Sequence, residues 1–127
     1  MAARLKEAGH LPQRIISSPA VRAKTTARYF SQVFDVPLEE ARDLYHGLID
    51  DYMDIIKSLD ETTECAALFG HNPGITFLTN LIQENVTDNI PTCGIVIVEV
   101  KSANWADSNW DDMKLIGIMT PKDPQHD

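Results

Sequence analysis

The chain has 127 residues, of which 43% are hydrophobic and 24% are charged, and this balance predicts one globular domain with a single core. Its formal net charge of -8 disfavours a general nucleic-acid binder, because phosphate backbones are bound by clustered Lys and Arg. A phosphorylated substrate stays compatible with this charge, since one local cationic pocket can hold a phosphate group. No stretch has the length of a membrane span and no secretory signal opens the chain, so we expect a cytoplasmic protein without a membrane partner.

Apolar periodicity and turn residues predict an alternation of helices and strands. The predicted elements are a helix end at 1–7, a strand at 14–17, a helix from Ser18 to about 34, a short edge strand at 38–40, a loop at 43–47, a helix at 50–59, a strand at 65–69, a helix at 75–82, a strand at 95–100 and a last strand at 110–119. We expect residues 1–120 to form one domain and residues 121–127 to form a charged tail.

This order predicts an α/β fold with a mostly parallel sheet and an antiparallel hairpin at the end. A parallel pair of strands needs a crossover connection, yet no strand precedes the opening helix. That helix also lacks an N-cap, and Gly9, a residue typical of helix ends, lies two residues after it. The pattern therefore asks for one more strand upstream of Met1.

The two cysteines, Cys65 and Cys93, both lie in apolar surroundings. This setting is typical of small buried hydrophobic side chains in a reducing compartment. We therefore expect neither a disulfide framework nor a metal site, and no cofactor.

The apolar run 65–69 is followed by Gly70, His71 and the turn sequence Asn72-Pro73-Gly74. Such a run is typical of an inner strand buried on both faces, and Asn72 and Pro73 suit the N-cap and first position of the next helix. His71 would then lie at the carboxyl end of a strand, where ligands bind in open α/β sheets. It would also lie beside a helix N-terminus, which attracts anions. The alternative is a histidine that only satisfies the turn.

Arg22 lies in the first turn of the helix after the 14–17 strand, where a cation opposes the helix dipole. One interpretation is an arginine that is solvated or paired with an acid. The other is that an anion lies between Arg22 and the helix N-terminus, because a guanidinium matches phosphate oxygens. The sequence leaves both open.

Residues 17–27, SSPAVRAKTTA, resemble the S-S-P-x-x-R-A-x-x-T-A block of the histidine phosphatase superfamily. Residues 70–74, GHNPG, resemble its second histidine motif in the form used by the branch of the phosphohistidine phosphatase SixA. Residues 43–45, 91–93 and 121–123 and a Trp in the late turn resemble that branch too, so the likeness spans nearly the whole chain.

The resemblance implies a three-layer, phosphoglycerate mutase-like sandwich and a metal-independent phosphatase that works through a phosphohistidine intermediate. Its pocket uses two histidines and two arginines. Arg22 matches the second phosphate-binding arginine, and His71 matches the second histidine, which donates a hydrogen bond to the phosphoryl oxygens. Ser17 and Ser18 would lie at the mouth of this pocket, although Ser18 also suits a plain helix cap. The expected ligands are a phosphorylated substrate such as a phosphohistidine protein, and inorganic phosphate or sulfate.

The chain departs from the family at the nucleophile, which comes from an Arg-His-Gly block at the end of the first strand. None of His10, His46, His71 and His126 follows an arginine. Three interpretations stay open: a remnant of a longer, working phosphatase, a non-catalytic phosphate-binding or regulatory protein, and a structural domain in which the motifs are relics. Loss of a central strand would also make the isolated chain aggregation-prone or dimeric.

The general acid is a second open point. Many superfamily members place a glutamate or aspartate in the loop after the second helix, and the comparable loop offers Asp43, Tyr45 and His46. None of the three is a clear match. A phosphohistidine substrate needs little acid assistance at its leaving nitrogen, which favours that substrate class over sugar phosphates.

Overall fold

Four helices and five strands alternate along the chain in a computed structural model that describes residues 1–87, 89–91 and 94–121. The helices are α1 (Ala2–Glu7), α2 (Val21–Phe34), α3 (Ile49–Ser58) and α4 (Gly74–Ile82), and the strands are β1 (Arg14–Ser17), β2 (Leu38–Glu40), β3 (Ala66–Phe69), β4 (Ile95–Val100) and β5 (Met113–Met119). This confirms the predicted order of elements. Cys93 and residues 122–127 of the predicted tail lie outside the described residues, and the single-domain boundary stays a prediction.

The strands form two sets. The first is a parallel sheet in the order β2-β1-β3, with Ile16 opposite both Glu39 and Leu68. The second is the antiparallel hairpin of β4 and β5, whose register shifts between Ile97 and Val98. The parallel sheet and the closing hairpin confirm the predicted α/β class, and β2 is an edge strand as expected.

Side chains of β1 point alternately into two cores. Ile15 packs with α1 and α2 residues such as Leu5 and Phe30, whereas Ile16 packs on the other face with Leu44 and Tyr52. Because successive residues of a strand face opposite sides of the sheet, this division gives helices on both faces, as in the predicted three-layer sandwich.

β3 packs on both faces as predicted, with Ala67 and Phe69 against one core and Ala66 and Leu68 against the other, but the prediction of a fully buried inner strand at 65–69 is wrong for the described part of the chain. All four residues of β3 are half-buried, whereas Ile15, Ile16 and Ser17 of β1 are buried. The reason is that β3 pairs with β1 along one edge and with no described strand along the other. β4 likewise pairs only with β5 among the described strands.

Two helices have their N-cap later in the chain than predicted, since Ser18 and Asn72 were the expected N-caps. α2 begins at Val21 with Ala20 as N-cap, and α4 begins at Gly74 with Pro73 as N-cap, after a cis Asn72–Pro73 peptide bond. The last strand begins at Met113 instead of 110, because the Asn109 side chain accepts a hydrogen bond from the Asp112 amide and holds a 3₁₀ turn there.

Within the described residues, every helix is too short or too polar to cross a membrane. The same part of the chain contains no group of three His, Cys, Asp or Glu side chains that could bind a metal ion together.

Candidate anion-binding site

Ser18 and His71 meet at the carboxyl ends of β1 and β3. The two strands are parallel with Ser17 opposite Phe69, and the Ser18 amide continues the ladder by donating to the Phe69 carbonyl at 2.8 Å. This register brings the next residues of both strands together, and Nε2 of His71 lies 2.8 Å from Oγ of Ser18. Two of the predicted site residues are therefore in direct contact.

The Ser18 hydroxyl also accepts a hydrogen bond from the Ala20 amide at 3.2 Å. The predicted N-cap role of Ser18 is therefore wrong in position, since the hydroxyl closes a turn just before α2 instead of capping its first turn. One oxygen can serve both contacts, because a hydroxyl accepts from an amide while it donates to, or accepts from, an imidazole nitrogen. Ser18 thus links the start of α2 to His71.

Tyr52 of α3 holds the backbone of His71 by a hydrogen bond. The His71 amide donates to the Tyr52 hydroxyl at 3.3 Å, and the Tyr52 side chain is buried, which raises its pKa. The ring packs so closely that a methyl group on Gly70 would collide with the phenol oxygen and lie 2.9 Å from Cζ. A methyl group on Gly74 would collide with the Gly47 carbonyl oxygen. Glycine is therefore required at both positions by close approach.

The loop that follows His71 is anchored by Asn72. Its side-chain oxygen accepts from the amide and the hydroxyl of Thr76, at 3.2 and 2.7 Å, so Asn72 satisfies an unpaired amide in the first turn of α4. Its amide group donates to the Ile90 carbonyl at 2.6 Å. Asn72 thus performs a capping function from one residue before the N-cap position.

Arg22 lies in the first turn of α2, four residues after Ser18, with its side chain exposed to solvent. Within the described residues its guanidinium forms no hydrogen bond or ion pair, and none joins it to Ser18 or His71. Arg14 and Lys24 differ, since their side chains pair with Glu39 and Glu40, each at 2.6 Å. The first turn of α2 contains no acidic residue.

Ser17, Tyr45 and His46, which the sequence also brings near the predicted pocket, take no part in the Ser18–His71 contact. The Ser17 hydroxyl donates to the Ser18 carbonyl at 2.8 Å, so it is not a free donor at the mouth of a pocket. Tyr45 is exposed, and its ring centroid lies 6.2 Å from that of His71. The His46 ring packs edge-on against Tyr45 at 4.6 Å.

A cavity of about 600 Å³ lies at the end of α4 that is away from His71. Its described lining residues are Asn80, Glu84, Asn85, Val86 and Thr87. This cavity lies at the C-terminal end of α4, whereas His71 lies before the N-terminal end. Its described lining includes the Glu84 carboxylate and no cation. This composition does not suit a phosphate group.

Comparison with known proteins gives matches only among solved structures. A SixA protein of Agrobacterium tumefaciens, assigned as a phosphohistidine phosphatase, superposes with a TM-score of 0.76 at 19% identity, over 94% of this chain and 75% of that one. A SixA protein of Nakamurella multipartitia with the same assignment gives 0.74 at 16% identity, over 96% and 78%. No protein-family model and no curated protein matches the sequence. The chain therefore has the fold of the SixA structures, the branch that its sequence motifs resemble.

Proposed function

We propose that this chain is a phosphatase-like domain that binds a phosphoryl group between Arg22, Ser18 and His71. In a parent protein with an upstream Arg-His-Gly strand, it hydrolyses a phosphorylated protein through a phosphohistidine intermediate. The observation that carries the proposal is the contact between Ser18 Oγ and His71 Nε2, which lies beside the start of α2. The substrate that best suits the site is phosphohistidine.

Each residue has a defined role in this proposal. The guanidinium of Arg22 binds two phosphoryl oxygens, and the unpaired amides of the first turn of α2 lie beside the same anion. His71 turns its Nε2 from Ser18 to a phosphoryl oxygen and stabilises the charge that grows in the transition state. Ser18 donates its hydroxyl once the anion is bound. The reaction proposed here uses no metal or cofactor, because the guanidinium of Arg22 supplies the positive charge and the imidazole of His71 supplies a hydrogen bond.

The nucleophile is proposed to come from an additional strand. Two observations support this. β3 and β4 each have one edge that pairs with no described strand. Both strands also pack on the same core, through Ala67 and Phe69 of β3 and Ile95 and Ile97 of β4. A strand between β3 and β4 would end beside Gly70 and His71. We expect in-frame codons for Arg-His-Gly in the DNA upstream of Met1. An in-frame stop codon there, with no such codons after it, would contradict the additional strand.

These edges of β3 and β4 lead us to propose that the isolated chain forms a dimer or larger assemblies, since free strand edges pair with other chains. The proposed location is the cytoplasm. Sizing of the 127-residue chain by light scattering should give a mass above that of one chain. A monomer with a sharp melting transition would contradict this.

Titration calorimetry with inorganic phosphate tests the anion site itself. Wild type should bind phosphate, and Arg22→Ala should weaken binding about 10-fold or more, because a charge-assisted hydrogen bond contributes on the order of 1.5–3 kcal/mol. Arg28→Ala, which removes another exposed arginine of α2, is the matched control and should bind like wild type. Equal losses in both variants, or no binding by wild type, would reject the site.

A second candidate is a non-catalytic phosphate-binding or regulatory domain. It is favoured by the sequence, in which no histidine follows an arginine. Phosphatase assays on a chain with the upstream segment restored separate the two candidates. Turnover that depends on His71 supports the enzyme, whereas phosphate binding without turnover supports the regulatory domain.

A further inference from the structure

A second open cavity, of about 560 Å³, adjoins the contact between Ser18 and His71. One wall is Pro19, which follows Ser18 in the chain, and the rest comes from the loop after β2 and the first turn of α3. The described lining residues are Pro19, Arg42, Asp43, Tyr45, His46 and Asp51. Tyr45 belongs both to this lining and to the neighbourhood of His71, because the centroids of the two rings are 6.2 Å apart.

Tyr45 gives the cavity an aromatic wall. Its side chain is 49% exposed, so a large part of the ring is available to a ligand. His46 packs edge-on against it, with an angle of 82° between the ring planes. An aromatic surface of this kind binds another flat ring by offset stacking or by an edge-to-face contact.

The charges around the cavity do not suit a second phosphate. Asp43 and Asp51 contribute two carboxylates against the single guanidinium of Arg42, and the Asp51 carboxylate also accepts a hydrogen bond from the Leu48 amide at 2.8 Å. A slightly negative pocket favours a neutral ring, or a ring that can carry a proton, over an anion.

We propose that this cavity holds the planar ring that carries the phosphoryl group, with Tyr45 packed against that ring. The inference rests on the proposed phosphoryl site at Arg22, Ser18 and His71, and it adds a specificity-determining residue. The chemical class of the substrate is then a phosphoryl group on an imidazole or phenol ring. A phosphoryl group on an aliphatic hydroxyl, as in phosphoserine, would leave the cavity without a ring.

The test is to compare the affinities of the chain for inorganic phosphate, methyl phosphate, phenyl phosphate and free N-phosphohistidine by calorimetry. Both ring compounds should bind roughly 2- to 10-fold more tightly than methyl phosphate, which is the range for one aromatic contact. The tighter of the two identifies the ring as imidazole or phenol. In Tyr45→Ala the ratio of ring to methyl affinity should fall to about one, whereas Tyr45→Phe should retain it because the ring remains.

Tyr29→Ala is the matched control, because Tyr29 lies on α2 and is 66% exposed. This variant should keep the wild-type ratio of ring to methyl affinity. A ratio of one in wild type, or a preference that survives in Tyr45→Ala, overturns the ring pocket while phosphate binding still upholds the proposed function. Failure of wild type to bind inorganic phosphate contradicts both.

Discussion

Ser18 Oγ and His71 Nε2 lie 2.8 Å apart and join the turns that follow two neighbouring parallel strands. Ser18 in addition accepts from the Ala20 amide, so this hydroxyl fixes the imidazole relative to the first turn of α2. The contact places a hydrogen-bonding histidine beside the helix that carries Arg22.

Ser18→Ala should leave His71 without its side-chain partner and the Ala20 amide without its acceptor. Because Ser18 is fully buried, we expect a loss of about 1–3 kcal/mol in the free energy of unfolding, together with weaker phosphate binding. Denaturant melts and calorimetry measure the two effects. Ser108→Ala is a suitable control, because the Ser108 hydroxyl is buried with no hydrogen-bond partner among the described residues. Unchanged phosphate affinity in Ser18→Ala would remove Ser18 from the site.

Tyr52→Phe should release the backbone of His71 while it keeps the ring that fills the core. We expect a loss of about 0.5–1.5 kcal/mol in stability, the usual value of one hydrogen bond. The amide of His71 should exchange with solvent faster in Tyr52→Phe than in wild type, as followed by nuclear magnetic resonance. Tyr29→Phe changes an exposed phenol and should alter neither quantity. Equal exchange of the His71 amide in wild type and Tyr52→Phe would show that this hydrogen bond does not hold the loop.

Gly70→Ala should be destabilising, because the new methyl group would collide with the hydroxyl of the buried Tyr52 side chain. Overpacking of this kind costs about 1–3 kcal/mol. Gly117→Ala in β5 is the control, since a methyl group there would meet no atom within 4 Å. Removal of the phenol oxygen in the double variant Gly70→Ala, Tyr52→Phe should recover part of the loss. A Gly70→Ala variant as stable as wild type would contradict the close packing of Tyr52 against Gly70.

The ion pair of Arg14 and Glu39 should make stability depend on pH. Its bidentate hydrogen bonds lower the pKa of Glu39 below the ordinary value of 4.5. A lowered carboxyl pKa stabilises the fold above about pH 4.5, and this contribution is lost as the pH falls through the folded-state value. Because the Glu39 side chain is 41% exposed, we expect less than about 1 kcal/mol.

Denaturant melts at neutral and acid pH measure this contribution. Glu39→Gln should reduce the difference between the two conditions, and Glu64→Gln, at an exposed position, should preserve it. The same pH dependence in wild type and Glu39→Gln would show that the pair does not contribute.

Several elements follow from local sequence pattern. β1, β2 and β4 have the predicted bounds, since short apolar or β-branched runs with clear turn residues on each side define a strand. The neighbourhood of Ser18 and His71 is also predictable, because both residues follow strands of one parallel sheet. The contact of Arg22 with an anion remains a prediction.

Other features depend on tertiary contacts that the sequence does not specify. The two N-caps differ from the predicted ones because Ser18 bonds the Ala20 amide, and Asn72 bonds the Thr76 amide, from outside the N-cap positions. The half-buried state of β3 depends on which strands pair with it. Tyr52 was missed as a support of His71. Gly70 and Gly74 were the available signal of a close approach, but they do not say which aromatic ring fills the space.

Crystals of the chain soaked in tungstate, and measured for anomalous scattering, show directly whether an oxyanion binds between Arg22 and His71. We predict one strong tungsten peak within hydrogen-bond distance of the Arg22 guanidinium and His71 Nε2, with Ser18 Oγ beside it. A structure in which Arg22 and His71 face different sides of the molecule, with tungsten bound elsewhere, would show that the two side chains share no anion site.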